Sequence, residues 1–401
     1  MKQVRFLKTL VIGGAIALLV GFLGFSMPSG DAGSTSSIVQ LGTGQPAYAS
    51  GGLLDYLPLV SKGNPPSSFA IYLPLVFKDY PPPTTVFGIQ MDSVTEGGGL
   101  SKVAEAKATW VGGIGVSWGA VEPSQGARNW TALASQEQQM QNVAGKGLTP
   151  IVNVRYTPGW AQLYPGYSCG PMQQAYFSNF ASFMRDLVTR YSVAPYNIKY
   201  WEIWNEPDID HSLPGFPGDS GYGCWGKQSD PYYGGGYYAD MLKVVYPQIK
   251  TADPQAKVLI GGLLLDCDPR GSPSVCAIVH PTDPYADRPP KFLEGILQGG
   301  GGPYFDGVSF HAYDYYQGPL GNYSNANWQS AWNTTGPVVI AKSNFITTKL
   351  NDYLIPGKFL MNTESAVLCD SCSNDTVYET TKAYYVAQVY ASAIAQGLKA
   401  N

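Results

Sequence analysis

The sequence predicts an α/β fold, a (β/α)8 TIM barrel that stops before its eighth strand. Three observations predict it. From Phe87 onward, short apolar runs alternate with helix-length segments, the pattern of successive β/α units. Glutamates stand at the ends of the fourth and seventh runs, where two barrel strands can share one rim. The open, doubly wound alternative wants a Gly-rich phosphate loop after its first strand, and Glu96-Gly97-Gly98-Gly99 lacks the spacing.

In order, the predicted strands are Phe87–Met91, Gly113–Ser117, Leu148–Val154, Ile198–Trp204, Val258–Gly262, Gly307–His311 and Phe359–Thr363. Helices are expected over Ser101–Thr109, Ala132–Ala144, Gln173–Tyr191, Tyr237–Thr251, Pro290–Gln298 and from Thr380 to about Gln396. In Gln173–Tyr191, Phe177, Phe180, Phe183, Met184 and Leu187 recur at helical spacing, so they should face the core. An eighth strand would begin at Gly397-Leu398-Lys399-Ala400-Asn401, where the chain stops. The expected barrel domain, residues 86–401, therefore lacks its last unit.

Ahead of it, Lys2, Arg5 and Lys8 precede an apolar run from Leu10 to Phe25, so residues 1–27 read as a signal peptide or membrane anchor. Ala47-Tyr48-Ala49 offers a small-x-small cleavage site well beyond that run. Residues 28–85 form a Gly/Ser/Pro-rich linker in which Tyr56-Leu57-Pro58-Leu59-Val60 returns as Tyr72-Leu73-Pro74-Leu75-Val76. Either reading of the leader exports the chain, to the outside or to a cell-surface anchor.

The composition agrees with export. Charged residues are 13% of the chain and the net charge is -4, with no basic stretch to line a nucleic-acid groove. Six cysteines fit an oxidising compartment: Cys169 and Cys224, Cys267 and Cys276, Cys369 and Cys372. Pairing by proximity is preferred, although six cysteines allow about fifteen connectivities. Cys369-Asp370-Ser371-Cys372 has zinc-ligand spacing without a second pair or a nearby His to complete a site. No cofactor is expected. Asn-x-Ser/Thr acceptor sequences occur at Asn129, Asn322, Asn333 and Asn374.

The chemistry lies in two carboxylates. Trp201-Glu202-Ile203-Trp204-Asn205-Glu206-Pro207 closes the fourth strand, and Pro207 ends the ladder by removing a donor. Glu364 follows Phe359-Leu360-Met361-Asn362-Thr363 at the end of the seventh. Cleaving a glycosidic bond needs one carboxyl group protonated and one ionised, and proximity raises the pKa of one of them. Taken alone, either glutamate reads equally well as a solvated cap or half of an ion pair.

Asn205-Glu206-Pro207 resembles the Asn-Glu-Pro motif of the clan of retaining glycoside hydrolases with catalytic glutamates on strands four and seven of a (β/α)8 barrel. It is most similar to the β-xylosidase/iduronidase-type and cellulase-type families. Four further segments resemble clan pieces in order: Trp118 to Gly126 with Trp130, Thr157-Pro158-Gly159-Trp160-Ala161, Ser309-Phe310-His311-Ala312-Tyr313, and Thr363-Glu364-Ser365. The Trp or Gly that often follows the last glutamate is absent here.

The resemblance implies Glu206 as general acid/base and Glu364 as nucleophile. It also implies Asn205 on the sugar 2-hydroxyl, with His311 and Tyr313 lining the site and holding Glu364. Such a pair should stand about 5–5.5 Å apart, against roughly 6.5–9.5 Å for an inverting pair. Glu202 reads as a structural carboxylate, and His211 and His280 as surface residues.

Sugar rings want aromatic platforms. Trp118, Trp160, Trp204, Trp225, Tyr232, Tyr233, Tyr315 and Tyr316 all fall near strand ends. Trp118, Trp160, Tyr313 and one residue of the 209–236 loop are the expected walls. The function expected is an exported retaining β-glycosidase acting on a β-linked oligo- or polysaccharide. The alternative is a catalytically silent barrel that binds carbohydrate or serves at the cell surface. A phosphosugar aldolase or isomerase would want a phosphate loop near strands seven and eight, which is not in view.

Overall fold

The computed structural model describes residues 85–401, apart from 213–217, 272, 280, 319–327, 331, 333–335, 370, 371, 373 and 374. The leader, the linker with its repeat, His280 and the acceptor asparagines 322, 333 and 374 lie outside the described residues. Among the described residues, no helix is long and apolar enough to cross a membrane.

The strands are β1 (Gly88–Gln90), β2 (Trp110–Ser117), β3 (Thr149–Arg155), β4 (Tyr200–Asn205), β5 (Lys257–Leu263), β6 (Gly307–Tyr316) and β7 (Phe359–Leu368). Each pairs in parallel with the next, in chain order from β1 to β7. Following them are helices α1 (Leu100–Glu105), α2 (Ala134–Gly145), α3 (Phe177–Tyr191), α4 (Gly235–Ala252), α5 (Lys291–Gln298), α6 (Val339–Asp352) and α7 (Thr376–Ala395). Parallel strands joined through helices leave both sheet faces covered, which fits the nearly continuous burial along β4, β5 and β6. This is the (β/α) barrel architecture, with its strands in sequential order.

At the barrel floor the last residues lie between β7 and the segment entering β1. Lys399 N donates to Leu360 O (2.8 Å), Asn362 N to Ala400 O (3.0 Å) and Asn401 N to Val86 O (2.8 Å). Ala400 joins Trp110, Ile151, Leu259 and Met361 in a small apolar cluster separate from the main core. Such layers fill a barrel interior, so the floor is packed and the opposite end is left for chemistry.

Helix α3 carries the outer core. Phe177, Phe180, Phe183, Met184 and Leu187 are all buried, as their spacing predicts. Strands β6 and β7 run five residues beyond the predicted ends, because they keep pairing as far as Tyr315 opposite Leu368. The two-residue strand Trp328–Gln329 then adds antiparallel to the tip of β6. Helix α6 has a faint sequence signal, since Ile340, Ile346, Thr347 and Thr348 are β-branched; it follows Gly336-Pro337 and buries Val339, Phe345, Ile346 and Leu350.

The cysteines pair by proximity: Cys169–Cys224, Cys267–Cys276 and Cys369–Cys372. The first bridge joins the loop after β3 to the loop after β4, both at the open end.

The end of α6 offers a clean stability test. Leu354 has φ 56° and is 85% exposed, directly after the C-cap Tyr353. The amides of Leu354 and Ile355 close the helix onto Asn351 O and Leu350 O at 3.0 and 2.9 Å. A left-handed Leu costs about 1–2 kcal/mol, which Gly avoids at some cost in unfolded-state entropy. Leu354→Gly is therefore expected to raise stability by about 0.5–1 kcal/mol, read as a higher urea midpoint. A lower midpoint would contradict this account of the cap.

Candidate active site

Two backbone devices aim the glutamates at the mouth of the barrel. At the end of β4, Trp204 and Glu206 take left-handed φ values of 74° and 45°. Non-glycine residues adopt these only when the surroundings over-determine them. They break the strand alternation, so Glu206 need not follow the parity of Glu202. The second device is a register shift in β7. Phe310 lies opposite Asn362, but the next pair is His311 opposite Glu364, so Thr363 is an extra residue. Thr363 Oγ1 donates to Glu202 Oε1 inside the barrel (2.9 Å), and Glu364 is released toward the mouth.

Glu206 is 2% exposed, and its Oε1 is 2.6 Å from His311 Nδ1. The same nitrogen stands 3.6 Å from Glu364 Oε2, and the Glu364 side chain is 22% exposed. One oxygen of each glutamate and one ring nitrogen of His311 all lie within 4.8 Å of one another. The Tyr313 hydroxyl donates to Glu364 Oε2, and Gln90 Nε2 approaches Oε1 at 3.4 Å. Four predicted residues, Glu206, Glu364, His311 and Tyr313, are thus brought together.

The electrostatics follow from burial. Loss of water raises the Glu206 pKa; His311 opposes this, and the charge of Glu364 adds to it. Burial alone would lower His311, but Glu364 and Glu206 outweigh it and lift it to about 9. Both shifts run toward the protonated form. The Tyr313 phenol is raised far above its ordinary value, first by burial and then by Glu364, so it remains a donor.

This donor set could also be read as a metal site. Ligands at about 2.0–2.2 Å from one ion sit roughly 3 Å from each other. The 2.6 Å separation of Nδ1 and Oε1 is instead that of two atoms sharing a proton.

Behind the pair lies a shell that the sequence reading did not single out. Lys342, buried on α6, donates to His311 O (2.9 Å) and Leu264 O (2.6 Å). Burial brings its pKa down to about 8. Asp208 accepts from the amides of Leu264 and Leu265 at 2.9 and 2.8 Å, and burial lifts it to about 6. Gly262 on β5 is needed for contact reasons, because a Cβ there would stand 2.1 Å from His311 Nε2. Lys342 and Gly262 touch the site from other strands and helices, so no local motif marks them.

Other predicted residues are placed elsewhere. Trp118 is completely enclosed, its indole donating to Glu122 Oε2 (3.0 Å), so it is core rather than a cleft wall. Trp160 donates to Glu122 O (2.9 Å) and packs edge-on against Trp118 and Tyr176. The Trp118 segment is held by Arg128, which bridges Glu122 and Asp186. Trp204, Trp225 and Tyr233 are also buried.

Asn205 Nδ2 points to Gly221 O (3.3 Å). Glu202 is buried in the barrel between Thr363 and Asn153 Nδ2 (3.0 Å). His211 is not a free surface residue: it stacks on Tyr164 with ring centres 3.8 Å apart.

No protein-family model and no curated protein matches the chain. Among solved structures, a family 39 glycoside hydrolase from the gut symbiont Bacteroides cellulosilyticus is similar with a TM-score of 0.50 and 16% identity. The match covers 81% of this chain and 57% of that one, so this chain spans less than two thirds of its length. A glucosidase from Croceicoccus marinus is similar with a TM-score of 0.47 and 13% identity, over 79% of this chain and 58% of that one. The first of these likenesses supports the fold, and only the fold.

The His311–Glu206 pair makes stability depend on pH. A group whose folded pKa lies above its unfolded value stabilises fully below the unfolded value and loses that contribution as pH rises through the folded one. For His311 the window runs from about 6.5 to about 9, and the raised Glu206 adds a loss of the same sign. The urea midpoint of the protein should fall between pH 6 and pH 10 relative to that of His311→Gln. Parallel midpoints across that range would show that His311 titrates as a free imidazole.

Proposed function

We propose that this protein is an exported retaining β-glycosidase that cleaves O-glycosidic bonds of an oligo- or polysaccharide by double displacement. One observation carries the reading. Two carboxylates meet, one just beyond β4 and one within β7, the first sealed and pushed toward its acid form, the second partly open and held by a phenol. Their nearer oxygens, within 4.8 Å, favour the short spacing of a retaining pair over the long spacing of an inverting one. The fold likeness to a glycoside hydrolase is consistent with it.

In the first step, Glu364 attacks the anomeric carbon while Glu206 gives its proton to the departing glycosidic oxygen. The carbon–oxygen bond breaks and a glycosyl ester of Glu364 forms. Glu206 is now a buried carboxylate, and the His311 imidazolium at 2.6 Å stabilises it where water cannot. In the second step, Glu206 takes a proton from water, whose oxygen attacks the same carbon and releases Glu364. Two inversions leave the configuration unchanged. The Tyr313 hydroxyl keeps one oxygen of Glu364 oriented, so the other is presented to the sugar.

Export rests on the leader, from Lys2 through Phe25, and on three disulfides, which persist in oxidising compartments. Secretion and surface anchoring share this basis.

Incubation with activated 2-fluoro-β-glycosides of glucose, xylose and mannose tests the mechanism. Peptide mapping is expected to find a glycosyl adduct on Glu364. Glu206→Gln should lower kcat by about 10²–10⁴-fold with a poor leaving group and remove the alkaline limb of the pH profile. An adduct on another residue would overturn the assignment. Binding of oligosaccharide without turnover by the folded protein would favour a silent carbohydrate-binding barrel.

A further inference from the structure

The segment Ser220–Cys224 lies directly on the strand end that carries Glu206. Gly223 is pressed against it so closely that a Cβ would stand 2.4 Å from Asn205 O and 2.9 Å from Glu206 O. On one side, Gly221 O accepts from Arg155 Nη1 at the end of β3 and from Asn205 Nδ2 (3.3 Å). On the other, Cys224 is tied to Cys169, and Cys224 N donates to Cys169 O (3.1 Å). Between these anchors stands Tyr222, with its amide on Ser220 Oγ (3.1 Å).

The backbone on both sides of Tyr222 is therefore fixed, yet the residue is 41% exposed. Tyr315 on β6 is likewise exposed on a fixed backbone, but other aromatics of this end are not. Trp118, Trp204, Trp225 and Tyr233 are closed off in the core, and the Trp160 ring packs on Trp118 and Tyr176. Burial, and then the charges of Glu206 and Glu364, raise the Tyr222 phenol.

We propose that Tyr222 is a sugar-binding wall of the cleft, its ring covering the C–H face of a β-linked pyranose whose glycosidic bond lies between Glu206 and Glu364. The inference rests on the glycosidase reading and deepens it. A rigid aromatic face suits a sugar because the ring's axial C–H groups bury against it while the equatorial hydroxyls stay outside. Asn205, which lines the same cavity as Glu364, also touches the Tyr222 loop through its amide. The Cys169–Cys224 bridge is then a brace for a substrate contact as well as for the fold.

The test uses the full chain with Tyr222→Ala, Tyr222→Phe and Tyr222→Trp. Turnover is read with aryl β-glycosides, and affinity by calorimetry with β-linked tetrasaccharides of glucose, xylose and mannose on a Glu364→Gln background. Tyr222→Ala should lose about five- to tenfold in kcat/KM and tetrasaccharide affinity, with the loss in KM rather than kcat. Phe and Trp, which keep a ring, should recover most of it. Turnover with unchanged KM and affinity in Tyr222→Ala would overturn the wall and leave the glycosidase reading intact. Tyr222-dependent binding without turnover would support the wall and overturn that reading. Absence of both binding and turnover would overturn both.

Discussion

The mouth of this barrel turns on one buried contact, His311 Nδ1 to Glu206 Oε1 at 2.6 Å. Two ionisable side chains have been taken out of water there, and a buried charge is tolerated only if paired and hydrogen-bonded. The surrounding groups follow from that requirement. Lys342 fixes the carbonyl of His311 from behind, and Gly262 leaves room for the ring. Asp208, two residues after Glu206, pins the turn at the end of β5 through two amides. A change in any of these groups would reach Glu206 through packed contacts, while Glu206 Oε2 and His311 Nε2 are buried without a hydrogen-bond partner.

The backbone makes the contact possible. Tyr156, Trp204, Glu206 and Leu265 all have positive φ, and they sit just at or beyond the ends of β3, β4 and β5. The extra residue in β7 lies directly before Glu364. These irregularities aim side chains at the mouth, while the floor holds an apolar cluster around Trp110, Leu259 and Met361. The division suits a parallel barrel: one end supplies stability, and the other spends some of it on aiming side chains.

This division also decides what could be read in the sequence. Strand order, the buried face of α3 and the convergence of Glu206 with Glu364 were legible, because periodicity and Pro207 are local signals. Of the expected aromatic walls, Tyr313 stands beside Glu364, whereas Trp118 and Trp160 do not line the cleft. Trp118 and Trp160 stand near strand ends in sequence, but the Glu122–Arg128–Asp186 network draws that segment into the core. Tyr222 carries no motif of its own, and its place depends on Cys224, Gly223 and Arg155 acting together. The same holds for Lys342, an isolated lysine in a helix, whose partners are backbone carbonyls of β6 and of the loop after β5. Side chains placed by three-dimensional contact leave no pattern along the chain.

In the proposed reaction, the surroundings of the two glutamates give each its part. Equivalent carboxylates would share a proton with no fixed owner, and neither would be a dependable acid. Here exposure breaks the equivalence: Glu206 is 2% exposed and Glu364 22%. The enclosed group is the one whose charge costs more, so the proton belongs to Glu206. The more open group, which accepts from Tyr313, is the one a substrate carbon can reach. Reversing the roles would ask the enclosed oxygen to attack the substrate carbon. In the proposed reaction, burial is the first cause that favours the acid form of Glu206; the charge of Glu364 adds to it and His311 opposes it.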